Sequence, residues 1–360
     1  MPWNPQKNTE NKDLIGNIFV FFRGFRGHYI AMKHIIWIVI TSLLPVTTTA
    51  FAADADLLIT RANRIFSPLP AAMPGSEHDT PERIALGKQL YFEKRLSVND
   101  TQSCASCHPL ENGSAGVDNL PVSPGARGEP GTRNSPTVLN AGWQDSQFWD
   151  GRAEDLVEQA KGPILNPIEM GMPDEQTVEE KLRVIAEYRS AFGTAFPGDE
   201  PAISYQNIAE AIAAFERTLI TPARFDDFMK GDAEALSAAE QRGLEAFIKI
   251  DCKTCHDGTL VGGETYEPLG KEHPYENQAD QGMYTVTKDE NDRMFFKVAP
   301  LRNVALTAPY FHDGKIQTLD EAVRKMGKLQ LDEDLTDQQV SDITSFLKAL
   351  TDKNREQYVK

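Results

Sequence analysis

A mainly α-helical fold in two tandem units is predicted for this chain of 360 residues. Three observations predict it. Cys-x-x-Cys-His occurs twice, as Cys104-Ala-Ser-Cys107-His108 and Cys252-Lys-Thr-Cys255-His256. A segment of helical apolar spacing leads into each copy. After each copy the same kinds of residue return in the same order, so the chain repeats itself.

The two motifs use all four cysteines of the protein. Cysteines three positions apart with histidine next form the attachment signature of c-type haem. The two sulfurs form thioethers to one porphyrin, and the histidine supplies the nitrogen beneath the iron. Zinc would need the two pairs gathered into one four-ligand site. Here they lie far apart and each has its own histidine. A disulfide framework does not suit so long a chain with so few cysteines. Two covalent haems are therefore expected, and the open side of each iron becomes the question.

The elements follow in chain order. Met32-Lys33, the apolar run Ile35 to Val46 and the small-x-small Ala50-Phe51-Ala52 read as an export signal cut after Ala52. An uncleaved anchor is the alternative, although the run is short for a membrane span. The residues before Met32 fit a start assigned too far upstream. Helices are expected at 54–66, 81–92, 175–189, 204–220 and 336–350. Ile208, Ile212, Phe215 and Leu219 form an apolar stripe whose plain reading is core packing. Ser237-Ala-Ala-Glu240 is a capping box opening a helix through Gly243, Leu244, Phe247 and Ile248. The runs 113–136 and 257–300 read as loops beside the haems, with little strand anywhere.

After the first motif come Arg133-Asn134, Phe148-Trp149-Asp150-Gly151 and Leu156. After the second come Arg302-Asn303, Phe311-His312-Asp313-Gly314 and Leu319. From Asp150 and Asp313 onward the two align without gaps. The expected organisation is a signal segment with its extension at 1–52, then two cytochrome-c-like helical haem domains at 53–220 and 221–360.

The formal net charge is −16, and residues 53–360 alone stand at −19. This argues against nucleic acid and anionic membrane surfaces as partners, and permits a positively charged protein. Haem attachment outside the cytoplasm and the export signal together predict a periplasmic protein.

Function should lie where the repeats differ. A second strong side-chain ligand closes a haem iron for electron transfer, whereas an empty position leaves it reactive. The second repeat carries Met326 on a helix, as an iron ligand or as core filler. Its gapless counterpart in the first repeat is Pro163, which cannot ligate iron. Asn166-Pro-Ile-Glu169-Met170 follows shortly. Glu169 is either a proton carrier for peroxide above an open iron or a surface carboxylate, and spacing alone does not decide between these.

These residues together resemble the bacterial di-haem cytochrome c peroxidases. The likeness runs from about Leu86 to Leu350. It is carried by Leu86-Gly-Lys-Gln-Leu-Tyr-Phe, Arg133-Asn-Ser-Pro-Thr-Val-Leu-Asn140, Phe148-Trp-Asp-Gly-Arg-Ala153, Asn166-Pro-Ile-Glu-Met170 and Leu301-Arg-Asn-Val-Ala-Leu-Thr-Ala-Pro-Tyr-Phe-His-Asp-Gly314. The resemblance implies a peroxidatic, low-potential N-terminal haem on His108 and a high-potential C-terminal haem with axial His256 and Met326. It implies that Glu169 handles peroxide protons, that Gln159 lies on the distal side, and that Trp149 carries electrons between the haems. It implies calcium held by Asn134 and the carbonyls of Thr307 and Pro309, oxygen ligands that suit the ion. It further implies a homodimer, and a small periplasmic cytochrome c or blue copper protein as electron donor.

One departure stands out. Many members hold a displaceable histidine ligand in the loop before Arg133-Asn134. Here that position is Ala126, and no histidine lies between His108 and His256. The first haem is therefore expected to be open in the oxidised protein. His78 reads as solvated, His273 as a loop residue with a small chance of lying near a haem, and His312 as a hydrogen-bonding group near the second haem. Two other functions compete with peroxidase. A MauG-like oxidase acting on a partner protein would carry tyrosine where Met326 stands. A non-catalytic electron carrier would need a second ligand in the first domain.

Overall fold

The computed structural model describes residues 46–359. Among them are twelve helices: α1 (Val46–Ala62), α2 (Pro81–Tyr91), α3 (Cys104–Cys107), α4 (Leu156–Leu165), α5 (Glu175–Arg183), α6 (Ala186–Ala195), α7 (Tyr205–Glu216), α8 (Arg224–Met229), α9 (Ala238–Lys249), α10 (Tyr284–Thr287), α11 (Leu319–Leu331) and α12 (Asp337–Lys348). Strands β1 (Tyr266–Pro268) and β2 (Phe295–Lys297) pair antiparallel, with Tyr266 opposite Lys297. The fold is thus mainly α, as expected, and the two strands and α10 lie within the run 257–300. The apolar run of the export signal lies outside the described residues, and its cleavage position falls within α1. Among the described residues no helix is long and apolar enough to cross a membrane.

Local chemistry sets the helix starts. The side chains of Thr80, Asp155 and Thr318 accept the backbone N–H of Arg83, Glu158 and Glu321 at 3.2, 2.9 and 3.2 Å. Ser237 and Glu240 close the predicted capping box, with the Ser237 N–H donating to the Glu240 carboxylate at 2.7 Å. The helix expected at 175–189 is in fact two. Ile185 is extended between α5 and α6. Val178 and Leu182 face the core from α5, and Tyr188 and Phe192 from α6. The chain turns at Ile185, and each of the two shorter helices buries its own apolar pair.

The repeat is visible in three dimensions. In each half the helix leading into the haem motif crosses the half's last long helix at a glycine. A Cβ on Gly87 would lie 1.7 Å from the Ala211 carbonyl oxygen, and one on Gly243 would lie 1.9 Å from that of Asp342. α2 thus crosses α7 as α9 crosses α12. Asn140 and Asn303 are both left-handed, at φ 62° and 63°. Their N–H groups donate to Leu219 and Leu350 at 3.0 and 3.1 Å. Their side-chain oxygens accept from the N–H of Thr221 and Asp352, both at 2.9 Å.

Asn140 is therefore the counterpart of Asn303, and the pairing of Arg133-Asn134 with Arg302-Asn303 is corrected. The two dipeptides share letters and not places. Arg302 is buried on Asp226, at 2.8 and 3.0 Å. Arg133 instead bonds Asp280 at 2.5 and 2.8 Å and Asp150 at 2.6 Å.

Residues Ala52–Lys360 form one compact unit, and its ends are exchanged between the halves. Leu58, Ala62 and Phe66 lie in the core of the second half, with Phe225, Leu244, Phe247 and Phe346. The N-terminal segment expected in the domain 53–220 thus packs elsewhere. At the other end, Arg355 Nε donates to the Ser114 carbonyl at 2.9 Å, beside the first haem motif. The first half keeps its own core, built on Leu86, Leu90, Ile164, Leu182, Phe192, Ile208 and Ile212.

Candidate haem sites

Cys104, Cys107 and His108 line a cavity of about 800 Å³. α3 is one turn, and the His108 N–H closes it onto the Cys104 carbonyl at 2.9 Å. That turn puts both sulfurs and the ring on one wall. His108 Nδ1 meets the Gly116 carbonyl at 3.0 Å, which leaves Nε2 as the nitrogen able to bind iron. Burial lowers the His108 pKa and favours the neutral ring a metal requires. The second motif repeats the arrangement in a smaller, mostly apolar cavity of about 240 Å³. There His256 Nδ1 faces the Val261 carbonyl at 3.3 Å, and burial takes the ring to a pKa of about 4. Two thiols, one oriented imidazole and a shared cavity fit one covalent haem in each half.

The groups that line the two cavities differ. Met326 on α11 borders the second cavity with His256. Pro163 on α4 borders the first with His108, Gln159 and Glu169. α4 and α11 start from matching caps, so Pro163 and Met326 are equivalent in space as in sequence. Met170 also touches the first cavity, but its side chain belongs to the apolar core of that half. Asn166 Nδ2 donates to Glu169 Oε1 at 2.8 Å and fixes the carboxylate. Burial raises the Glu169 pKa, opposed by the charge of Arg152 and by the Asn166 bond. Arg152 stacks on Phe148 at 3.5 Å and bonds Asp150 at 2.9 Å.

Ala126 does not border the first cavity. Its N–H donates to the Glu169 carbonyl at 2.7 Å, and its carbonyl accepts from Asn99 at 2.6 Å. Arg127 reaches the carbonyls of Pro167 and Gly171 at 3.2 and 3.4 Å. The loop is thereby held on the backbone that carries Glu169.

Trp149, Lys297 and His312 border both cavities. Trp149 Nε1 donates to the Asn134 carbonyl at 2.9 Å, and its ring lies 6.5 Å from that of His312. Asn134, Thr307 and Pro309 line the second cavity together. The Asn134 amide N–H groups go to Leu120 and Pro121, at 2.9 and 3.4 Å, which leaves its side-chain oxygen for a cation. His78 is exposed at the end of a short 3-10 turn, and His273 is a half-buried loop residue. His273 pairs with Asp332 at 2.6 Å and borders neither cavity.

Sequence reasoning missed Glu216. It lies at the end of α7, 4% exposed, on the first cavity. The helix crossings make Leu347, on the second cavity, its counterpart. Burial pushes its carboxyl up to about 8, with Arg217 opposing. The signal was present, since Glu216 continues the spacing of Ile208 and Ile212 and is the polar member of a buried stripe.

Two Cys-x-x-Cys-His turns, each on its own cavity in a duplicated helical fold, define a di-haem c-type protein. The chain belongs to the di-haem cytochrome c peroxidase family, whose family model matches residues 81–234. It is 44% identical to the cytochrome c551 peroxidase of Pseudomonas aeruginosa over 84% of this chain and 88% of that one. It is 42% identical to the cytochrome c551 peroxidase of Nitrosomonas europaea, over 86% and 90%. A solved MauG-like protein associated with microbial copper homeostasis superposes with a TM-score of 0.69 at 31% identity, covering 80% of this chain and 95% of that one.

Proposed function

We propose that the chain is a periplasmic cytochrome c peroxidase. It reduces hydrogen peroxide to two waters with two protons and two electrons, drawn one at a time from a small cytochrome c or blue copper protein. The observation that carries this reading is the asymmetry of the two cavities, with Glu169, Gln159 and Pro163 around one and Met326 on the other.

An open haem iron supplies the peroxide-binding and oxidising chemistry at the first cavity. Glu169 would take a proton from one peroxide oxygen and return it to the departing oxygen, which leaves as water. Asn166 holds that carboxylate in position, and burial keeps its pKa high enough for it to give the proton back. Gln159 orients the peroxide from α4. His256 and Met326 would hold the haem that receives electrons, and Trp149, which borders both cavities, would pass them to the first. Met326 on the second cavity supports the peroxidase over a MauG-like oxidase, which would need tyrosine there. Ala126 and its bond to the Glu169 backbone support a first haem open without prior reduction. Asn134 and the carbonyls of Thr307 and Pro309 would hold calcium at the junction, and the chain works as two haem halves, divided near 220 with Leu58 to Phe66 lent to the second, in a homodimer.

The test is peroxide turnover with reduced cytochrome c, started from fully oxidised enzyme. Wild type should turn over without a lag, and Glu169→Gln should lose two to four orders of magnitude in kcat, the usual worth of a positioned acid–base group. Equal activity in the two, or inactivity in both, refutes the mechanism.

A further inference from the structure

The wall between the two cavities contains a buried cation without an anion. Lys297 is 7% exposed and borders both cavities. Strand β2 holds it there, through its backbone N–H to the Trp149 carbonyl at 2.8 Å and its pairing with Tyr266. An ammonium has three N–H donors. Among the described residues Nζ meets one acceptor, the Ser146 carbonyl at 2.6 Å, and no carboxylate comes within 4 Å of it. Asp150, whose charge reaches it, is engaged by Arg133 and Arg152 at 2.6 and 2.9 Å. Burial without a direct partner takes the ammonium to a pKa of about 7.

A second group on the same wall is unsatisfied too. His312 is 1% exposed, and neither ring nitrogen has a hydrogen-bond partner among the described residues. Its ring stacks on Phe296, the neighbour of Lys297, at 4.3 Å. Buried polar groups are satisfied in native proteins, and buried charges are paired. The chemistry missing from this wall is therefore a hydrogen-bond acceptor carrying negative charge.

We infer that Lys297 is the seat of a haem propionate carboxylate between the two cavities, both of which His312 also borders. The seat requires only that haem occupies the cavities and is independent of the peroxide chemistry. Two N–H groups of Lys297 and one of His312 are free to donate to carboxylate oxygens, giving a charge-assisted contact. Lys297 also holds the Trp149 carbonyl, so the seat ties a haem edge to the residue between the haems. Its positive charge favours the reduced iron of the haem it holds.

Three variants test this: Lys297→Met, Lys297→Gln and Lys297→Arg. For each, haem content is measured, together with the midpoint potentials of both haems and the propionate bending band in resonance Raman spectra. Lys297→Met and Lys297→Gln should keep two haems, shift that band and lower one midpoint by about a tenfold change in its one-electron equilibrium, ~59 mV. Lys297→Arg should leave both potentials near wild type. Unchanged potentials in fully loaded Met and Gln variants overturn the proposal, as does an Arg variant that behaves like Met. Where the variants load haem poorly, a crystal structure of the wild-type holoenzyme decides. Nζ bonded to a propionate oxygen supports the seat, and Nζ remote from both haems overturns it. None of these readouts uses peroxide, so they stand or fall separately from the peroxidase reading.

Discussion

At the scale of single residues, covalent chemistry was the most legible. Thioether attachment needs two sulfurs and a histidine at fixed spacing within one turn, so Cys104, Cys107 and His108 declare themselves in five letters. Glu216 did not, because its meaning depends on which helix face is buried and on what its repeat partner is. It now carries a prediction. A carboxyl whose folded pKa stands near 8, above the usual 4.5, disfavours the folded state wherever the unfolded chain ionises first. That penalty is absent below about 4.5, grows as pH rises towards 8 and is then level. Glu216→Gln removes it. Thermal unfolding of the holoprotein should show the variant gaining on wild type between pH 5 and 8. A difference independent of pH would mean that Glu216 already ionises in the folded protein.

At the scale of elements, the capped helix starts near 81, 175, 204 and 336 were read well because caps are local, whereas the helix expected at 54–66 runs from Val46 to Ala62. The break between α5 and α6 was not, since no Gly or Pro marks the extended Ile185 in the sequence. The Arg-Asn mispairing has the same root. Asn140 and Asn303 are equivalent through a left-handed backbone and through bonds to residues far along the chain, none of which shows in letter similarity. Glycines separate packing from propensity here. Gly243 admits no Cβ against the Asp342 carbonyl, whereas nothing lies within 4 Å of a Cβ on Gly193 in α6. Gly243→Ala should therefore destabilise by ~1–3 kcal/mol through overpacking. Gly193→Ala should stabilise by up to ~1 kcal/mol through helix propensity. Denaturant midpoints of the two variants give the comparison, and equal signs would refute the close crossing of α9 and α12.

At the scale of the whole molecule, the repeat suggested two self-contained halves, and the chain does not honour that division. Phe66 is 2% exposed in the second core, 5.5 Å from Phe225 and 6.4 Å from Phe247, ring to ring. Phe247 in turn lies 6.3 Å from His256. A residue placed before the first haem motif in sequence is thus two aromatic contacts from the second iron's histidine. The apolar pattern could show that Phe66 is buried but not which half buries it. Phe66→Ala should cost ~3–5 kcal/mol, as expected for a buried phenylalanine. The loss should fall on the second haem, lowering the cooperativity of its unfolding and disturbing its absorption and midpoint. The first haem, built on α2, α4 and α7, should keep its spectrum. Equal perturbation of both haems, or of the first alone, would show that the N-terminal segment serves the first half after all.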